Sequence, residues 1–291
     1  MTPGKKLFFI INPGAGNSKT DWKQEIEKYF SSQPNQIVLF ELPEDCNQEM
    51  IRERIDKVAP DLVVAVGGDG TLKLAAGILQ GSPIRIGLLP AGSANGMAKE
   101  LGIPTDPAEA LDILLNGREQ MIHLVEINNE LCIHLSDIGF NAFVVKKFED
   151  EGTRGMWGYI KSAWKVLWNH YRMAVEIKVD DEYIRRDAAM VVIANATKYG
   201  TGVMINPEGR LDDDLFEVVI VKKISFAEIF KMRFTHRPYN PEKTELLQTR
   251  SLKINSRRKV HFQVDGEYRG KVNEVKAEIA TGALTIMVPA E

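Results

Sequence analysis

The chain is poor in the residues that make disulfide frameworks, metal knuckles and membrane spans. Cys46 and Cys132 are its only cysteines, too few and too scattered for a disulfide scaffold or a cysteine metal site. His123, His134, His170, His236 and His261 show no HExxH or comparable spacing, which argues against a zinc enzyme. No apolar run approaches the roughly 18 residues of a membrane span. The apolar stretch near the start, LFFII, is too short for the core of a signal peptide. Together these absences predict a cytoplasmic protein that does not cross a membrane. A formal net charge of −3 argues against a general nucleic-acid binder. There is no internal repeat and no low-complexity tract.

What is present fits a globular protein of one large or two ordinary domains. The 291 residues are 44% hydrophobic and 26% charged, with ample length to bury a core. Charge is unevenly spread. From Lys222 to Lys259, 11 lysines and arginines stand against three acids, Glu228, Glu242 and Glu245. Such a block suits an anionic membrane or a phosphorylated ligand, or is a solvated surface.

The first 120 or so residues alternate strand and helix: KLFFIIN, TDWKQEIEKYF, QIVLFEL, CNQEMIRERIDKVA, DLVVAVGG, TLKLAAGILQ, RIGLLPAG and NGMAKELG. Continuous apolar strands between amphipathic helices predict a parallel sheet covered on both faces. After Leu115 the pattern changes to strand after strand: MIHLVEIN, LCIHLSDIGF, MAVEIKV, YIRRDAAMVVIANA, LFEVVIVKK, SLKIN, KVHFQVDG, VKAEIAT and ALTIMVP. VDDE marks a hairpin after MAVEIK. The expectation is an α/β nucleotide-binding domain over 1–122 and a mainly antiparallel β domain over 123–291, whose last strand is free to return to the first. An exposed edge in the β domain could support a homodimer.

Three strands of the first half end in glycine-rich turns that lead to helices: NPGAGNSK at 12–19, GGDGT at 67–71 and LPAGSANG at 89–96. Ligands of open parallel sheets bind beyond the carboxyl ends of the strands. Glycine admits close approach of main-chain N–H groups, and helix N-termini favour anions. Three such turns on one sheet edge describe a polyphosphate site. They match neither GxxxxGK[ST], nor GxGxxG, nor GxSxG.

GGDGT after an apolar strand, with NPGAG upstream and LPAGSANGMAKELGIP downstream, resembles the diacylglycerol kinase catalytic-domain family, which includes bacterial lipid kinases and the sphingosine and ceramide kinases. The resemblance continues in GFNA (139–142), VVIANATKYGTG (191–202), PEGRLDDDLFEVV (207–219) and FQVDGE (262–267). It implies an NAD kinase- and phosphofructokinase-like α/β domain followed by a β-sandwich. It also implies a kinase that moves the γ-phosphate of ATP, with Mg2+, to a hydroxyl of a lipid such as diacylglycerol or a sphingoid base.

By similarity, Asn12, Pro13, Gly14, Ala15 and Gly16, and Gly67, Gly68, Asp69, Gly70, Thr71, Leu72 and Lys73, hold the nucleotide, with Ser93 and Asn95 from the third loop. Asp69 beside phosphates would be repulsive without a cation or proton between them, which assigns it to Mg·ATP or to proton handling. Glu267 matches the general base of bacterial members. Without the resemblance, VDGE reads as a plain β-turn. LDDD resembles a loop that binds a structural Mg2+, implying Asp213 through water and the carbonyls of Leu211, Asp214 and Phe216. Asp214 stands where the family has Gly.

Other departures concern the substrate. Gly96 replaces the family's usual Asp, as in the sphingosine-kinase type, and Lys73–Leu74 replaces Asn–Glu. Trp157, Ile160, Trp164, Leu167, Trp168 and Tyr171 share one face of a predicted helix. That stripe suits a membrane interface, an acyl pocket or a packed core. Two further readings stand beside the lipid kinase: an NAD kinase-like enzyme, and a nucleotide- or lipid-binding regulator without turnover.

Overall fold

The computed structural model describes residues 4–16, 20–150, 172–197, 204–207, 209–224, 240–280 and 282–290. The chain forms two compact units, Met1–His123 with Thr281–Glu291, and Leu124–Ala280.

In the first unit, β1 (Lys6–Ile11), α1 (Trp22–Phe30), β2 (Gln36–Glu41), α2 (Gln48–Val58), β3 (Leu62–Gly67), α3 (Asp69–Leu79), β4 (Arg85–Pro90), α4 (Gly96–Glu100), α5 (Pro107–Asn116) and β5 (Arg118–Ile122) follow in order. The chain's last strand, β16 (Leu284–Val288), completes a six-stranded sheet of order β2-β1-β3-β4-β16-β5. Its pairs are parallel except that of β16 with β5. Every residue of β3 is buried, as its unbroken LVVAVG predicts for a strand covered on both faces. The helices bury matching stripes: Trp22, Ile26 and Phe30 on α1, Ile51 and Ile55 on α2. Asp21, Asn47 and Asp106 cap α1, α2 and α5 by accepting bonds from first-turn N–H groups.

The second unit comprises β6 (Val125–Ile127), β7 (Glu130–Cys132), β8 (Leu135–Gly139), α6 (Phe140–Asp150), β9 (Met173–Val179), β10 (Glu182–Ala188), β11 (Met190–Ala194), β12 (Phe216–Val221), β13 (Thr244–Thr249), β14 (Ser251–Val264) and β15 (Glu267–Ile279). Its sheet runs β13-β12-β11-β8-β14-β15-β6-β7, with β9 joining β14 and β10 joining β9. All these pairs are antiparallel. The fold is thus an α/β unit with a mostly parallel sheet and an antiparallel β-sandwich unit. One face encloses Ile138, Val175, Ile193, Phe216, Val218, Ile254, Phe262 and Val275. The opposite face of β8, β11 and β12 packs Leu135, Val192 and Val219 with Phe140 and Val144 of α6.

Several expected strands are divided differently, LCIHLSDIGF among them, whose residues fall in β7 and β8. MIHLVEIN is two strands, because β5 pairs with β16 in the first sheet while β6 pairs with β15 in the second. YIRRDAAMVVIANA breaks at Ala189, whose N–H turns to Val221 O and whose carbonyl accepts from Phe140 N. SLKIN and KVHFQVDG are instead one long strand, β14, with an irregularity between Asn255 and Val260. The tryptophan stripe at 157–171 lies outside the described residues.

Candidate functional site

The three glycine loops meet at the carboxyl ends of β1, β3 and β4. Asn12 ties the first to the second: its N–H donates to Val66 O (3.0 Å) and its Nδ2 to Thr71 Oγ1 (3.3 Å). The Asn12 side chain also turns its own loop, accepting from Gly14 N at 3.0 Å. The first and third loops touch at Gly16, where φ is +65° and an added Cβ would lie 2.6 Å from Ala91 O. The second and third touch at Gly68 and Gly92. There a Cβ on Gly92 would lie 2.5 Å from Gly68 Cα and 2.9 Å from Gly68 N. Both atoms are backbone and cannot rotate away. Gly92→Ala is therefore expected to part the two loops, at a cost of about 1–3 kcal/mol. Thermal unfolding with and without Mg·ATP should show a lower Tm and little remaining nucleotide-induced rise.

Asp69 is the first residue of α3, and its carboxylate begins the next helix. Oδ2 accepts from Gly96 N at 2.9 Å and Oδ1 from Met97 N at 2.8 Å. The carboxylate thus ties two helices across 27 and 28 residues of sequence. Each carboxylate oxygen keeps acceptor capacity beyond the bond it makes, so Asp69 can still meet a cation or a proton. At the adjacent Asn95, in left-handed conformation (φ 49°), Nδ2 donates to Gly92 O at 2.7 Å, which fixes the orientation of the amide. Its Oδ1 is buried with no hydrogen-bond partner. A hard oxygen acceptor with an unmet bond, beside a carboxylate, fits the donor chemistry of a magnesium-bearing nucleotide.

α3 differs from the other long helices of its unit. Its N-cap is Gly68, with no side-chain cap bond, so its first N–H groups are not closed off by a side chain. Gly70 faces open space, with no heavy atom within 4 Å of an added Cβ. Pro13, Gly14, Gly16 and Ser93 are exposed, Ala15 and Lys73 half-buried. Thr71 and Leu72 are 4% and 1% exposed. Their side chains serve the loop and core, leaving only their backbone for a ligand. Gly67 is required for that packing, since a Cβ there would lie 2.1 Å from Thr71 Oγ1.

Glu267 belongs to the second unit and opens β15. Asp265 and Gly266, with φ of 50° and 84°, form the two-residue hairpin turn between Val264 and Glu267. The plain β-turn is therefore real, and Glu267 flanks it. The turn is fixed from two sides. Asp265 accepts from Ile133 N (3.2 Å) and His134 N (2.9 Å), while Gly266 N donates to Gln263 Oε1 at 2.7 Å. Gln263 is in turn held by the buried Asp137, which also accepts from Asn141. Arg269 donates to both carboxylate oxygens of Glu130 at 2.7 Å and, with the same guanidinium, to Glu267 Oε2. Those two acids hold Arg269 firmly protonated. Glu130 and Arg269 were not legible beforehand, being 139 residues apart.

The acidic loop is less concentrated than LDDD implies. Asp212 pairs with Arg210 at 3.0 Å and Asp214 with Arg250 at 3.4 Å. Asp213 Oδ1 accepts from Leu215 N at 3.2 Å, Leu211 is buried, and Phe216 already lies in β12 opposite Thr249. Among the described residues no group of three or more His, Cys, Asp or Glu side chains is placed to hold a metal ion. A cation here would rely on carbonyl oxygens, as the resemblance implies. Sequence reading passed over Glu217 beside this loop. It is 1% exposed and accepts from Asn206 Nδ2 (2.5 Å) and Gln248 Nε2 (3.0 Å). Burial pushes its carboxyl above the usual range, against the lowering effect of those two amides.

Comparison with known proteins agrees with the fold. The diacylglycerol kinase catalytic domain model matches residues 6–127, and the YegS C-terminal NAD kinase beta sandwich-like domain model matches 137–288. A Bacillus subtilis (strain 168) protein named diacylglycerol kinase is 26% identical over 221 residues, 72% of this chain and 72% of its own. A probable lipid kinase YegS-like from Chromohalobacter salexigens is 27% identical over 241 residues, 78% of this chain and 76% of its own. The crystal structure of a diacylglycerol kinase from Bacillus anthracis str. Sterne superposes with a TM-score of 0.76 at 18% identity, covering 99% of this chain and 98% of that one. An NAD kinase from Archaeoglobus fulgidus in complex with ATP gives 0.53 at 13% identity, covering 97% and 93%. With the two family models spanning residue 6 to residue 288, on three glycine loops gathered at one sheet edge, the chain belongs to the diacylglycerol kinase family.

Proposed function

We propose that this member of the family is an ATP- and Mg2+-dependent kinase that transfers the γ-phosphoryl group to a hydroxyl of a lipid, with diacylglycerol the first acceptor to test. The observation that carries the reading is the start of α3. An uncapped helix N-terminus follows bare glycines and is flanked by two further glycine loops tied to it. Main-chain N–H groups there suit the phosphate oxygens of a nucleotide. Bound Mg2+ would supply neutralising charge, and among the described residues Asp69 and Asn95 Oδ1 offer oxygens that fit it. Glu267 is assigned the proton of the attacking hydroxyl. Its carboxylate is more than half exposed and is oriented by Arg269, whose own position Glu130 sets.

The test is ADP release from Mg·ATP with diacylglycerol, monoacylglycerol, sphingosine and ceramide in mixed micelles, with NAD as a soluble acceptor. Turnover is expected on at least one lipid and not on NAD. Turnover on NAD alone would move the protein to the NAD kinase-like reading. ATP binding with no turnover on any acceptor would make it a regulator.

A further inference from the structure

The basic block between Lys222 and Lys259 is not one uniform surface. Several of its described cations are committed to carboxylates: Lys222 to Glu245 (3.2 Å), Arg250 to Asp214 (3.4 Å) and Lys253 to Glu274 (2.9 Å). Arg257, Arg258 and Lys259 are different. All three are exposed, and none has an ion-pair partner among the described residues.

Backbone geometry explains why they stand out. On β14, Asn255 faces Glu274 of β15 and Val260 faces Val272, so residues 256–259 stand opposite Asn273 alone. The excess residues form a bulge, which bends a strand and pushes its side chains out of the ladder. Ser256 still pairs with Val175 of β9, and its Oγ donates to Arg258 O at 2.7 Å, which holds the bulge in shape. Exposed Lys271 lies one residue beyond its far end, opposite His261.

Beside the bulge runs an open groove of about 570 Å³, between β9, β10 and β14. Glu176 and Asp187 line it, Glu176 holding Arg185 at 2.8 Å, while Glu245 holds Arg186 at 2.8 Å. Arg257 lines this groove as well, so its wall carries both signs, while Arg258 and Lys259 lie outside the lining. A row of protruding, unpaired cations suits an extended anionic surface better than a single phosphate.

We propose that the Ser256–Lys259 bulge docks the protein onto an anionic phospholipid bilayer. The choice of a bilayer as the partner rests on the lipid-kinase reading, while the surface itself does not. Cations near an anionic leaflet each strengthen binding by roughly fivefold, so losing three costs about a hundredfold.

The experiment is sedimentation of the full chain with vesicles of phosphatidylglycerol and phosphatidylcholine, and with phosphatidylcholine alone. Wild type is compared with the triple variant Arg257→Gln, Arg258→Gln, Lys259→Gln. A second triple variant, Arg52→Gln, Arg54→Gln, Lys57→Gln, removes the same charge from exposed positions of α2. Binding to anionic vesicles only, weakened by salt, lost about a hundredfold in the bulge variant and kept in the α2 variant, is the expected result. Equal loss in both variants, or no loss in the bulge variant, overturns the proposal. So does equal binding to neutral vesicles. Inorganic phosphate at equal ionic strength should not displace the protein, and if it does the surface is a phosphate site instead. No turnover is read, so failure of every lipid acceptor in the ADP assay leaves this result standing by itself.

Discussion

Asp69→Asn is expected to lower turnover by about 10²–10³-fold and to lower Tm as well. The double effect follows from the two bonds its carboxylate makes. Both oxygens accept from main-chain N–H groups, Gly96 to Oδ2 and Met97 to Oδ1. An amide keeps one acceptor and turns its NH2 toward the other N–H, so one donor at the buried start of α4 loses its bond. That costs about 1–3 kcal/mol, or roughly 2–4 °C in Tm for each kcal/mol in a protein of this size. The chemical loss arises separately, because the variant brings no negative charge to the cation or proton at the nucleotide. Both are measured at once by ADP release at 25 °C and by a thermal melt. Full turnover with a depressed Tm would show that the carboxylate serves only to tie α4 to α3, and would remove it from the reaction.

Glu267→Gln is expected to lose turnover without losing stability. Loss of a general base typically costs about 10²–10⁴-fold, and here the fold should hardly notice. The Glu267 side chain is 58% exposed, and its partner Arg269 keeps both of its bonds to Glu130. An exposed ion pair of this kind contributes only about 0.2–1 kcal/mol. The hairpin that carries it depends on Asp265, Gly266 and Gln263, none of which is altered. Turnover should therefore fall steeply at unchanged Tm, with ATP binding retained. Wild-type turnover in this variant would leave Glu267 as the residue after a β-turn and nothing more.

Particular elements show which features could be read in advance. LVVAV followed by GGDGT is local information: apolar residues covered on both faces, and glycines that permit close approach before a helix. Its strand and its helix were legible for that reason. YIRRDAAMVVIANA and SLKIN with KVHFQVDG were misdivided because strand limits depend on the pairing partner, which periodicity along one segment does not contain. The same holds for MIHLVEIN, whose halves are equally apolar and enter different sheets.

The sequence by itself determined the fold class, the run of three glycine loops and the family, because these rest on periodicity, backbone permissiveness and short motifs with fixed spacing. Only the tertiary structure decided what the polar side chains do. Asp69 reaches Gly96 and Met97, Glu130 reaches Arg269 across 139 residues, and Arg257, Arg258 and Lys259 share a bulge apart from the paired cations around them. The physical reason is range. A hydrogen bond or an ion pair is made within about 3–4 Å in space, and at large sequence separation only the folded sheets and helices determine which groups come that close.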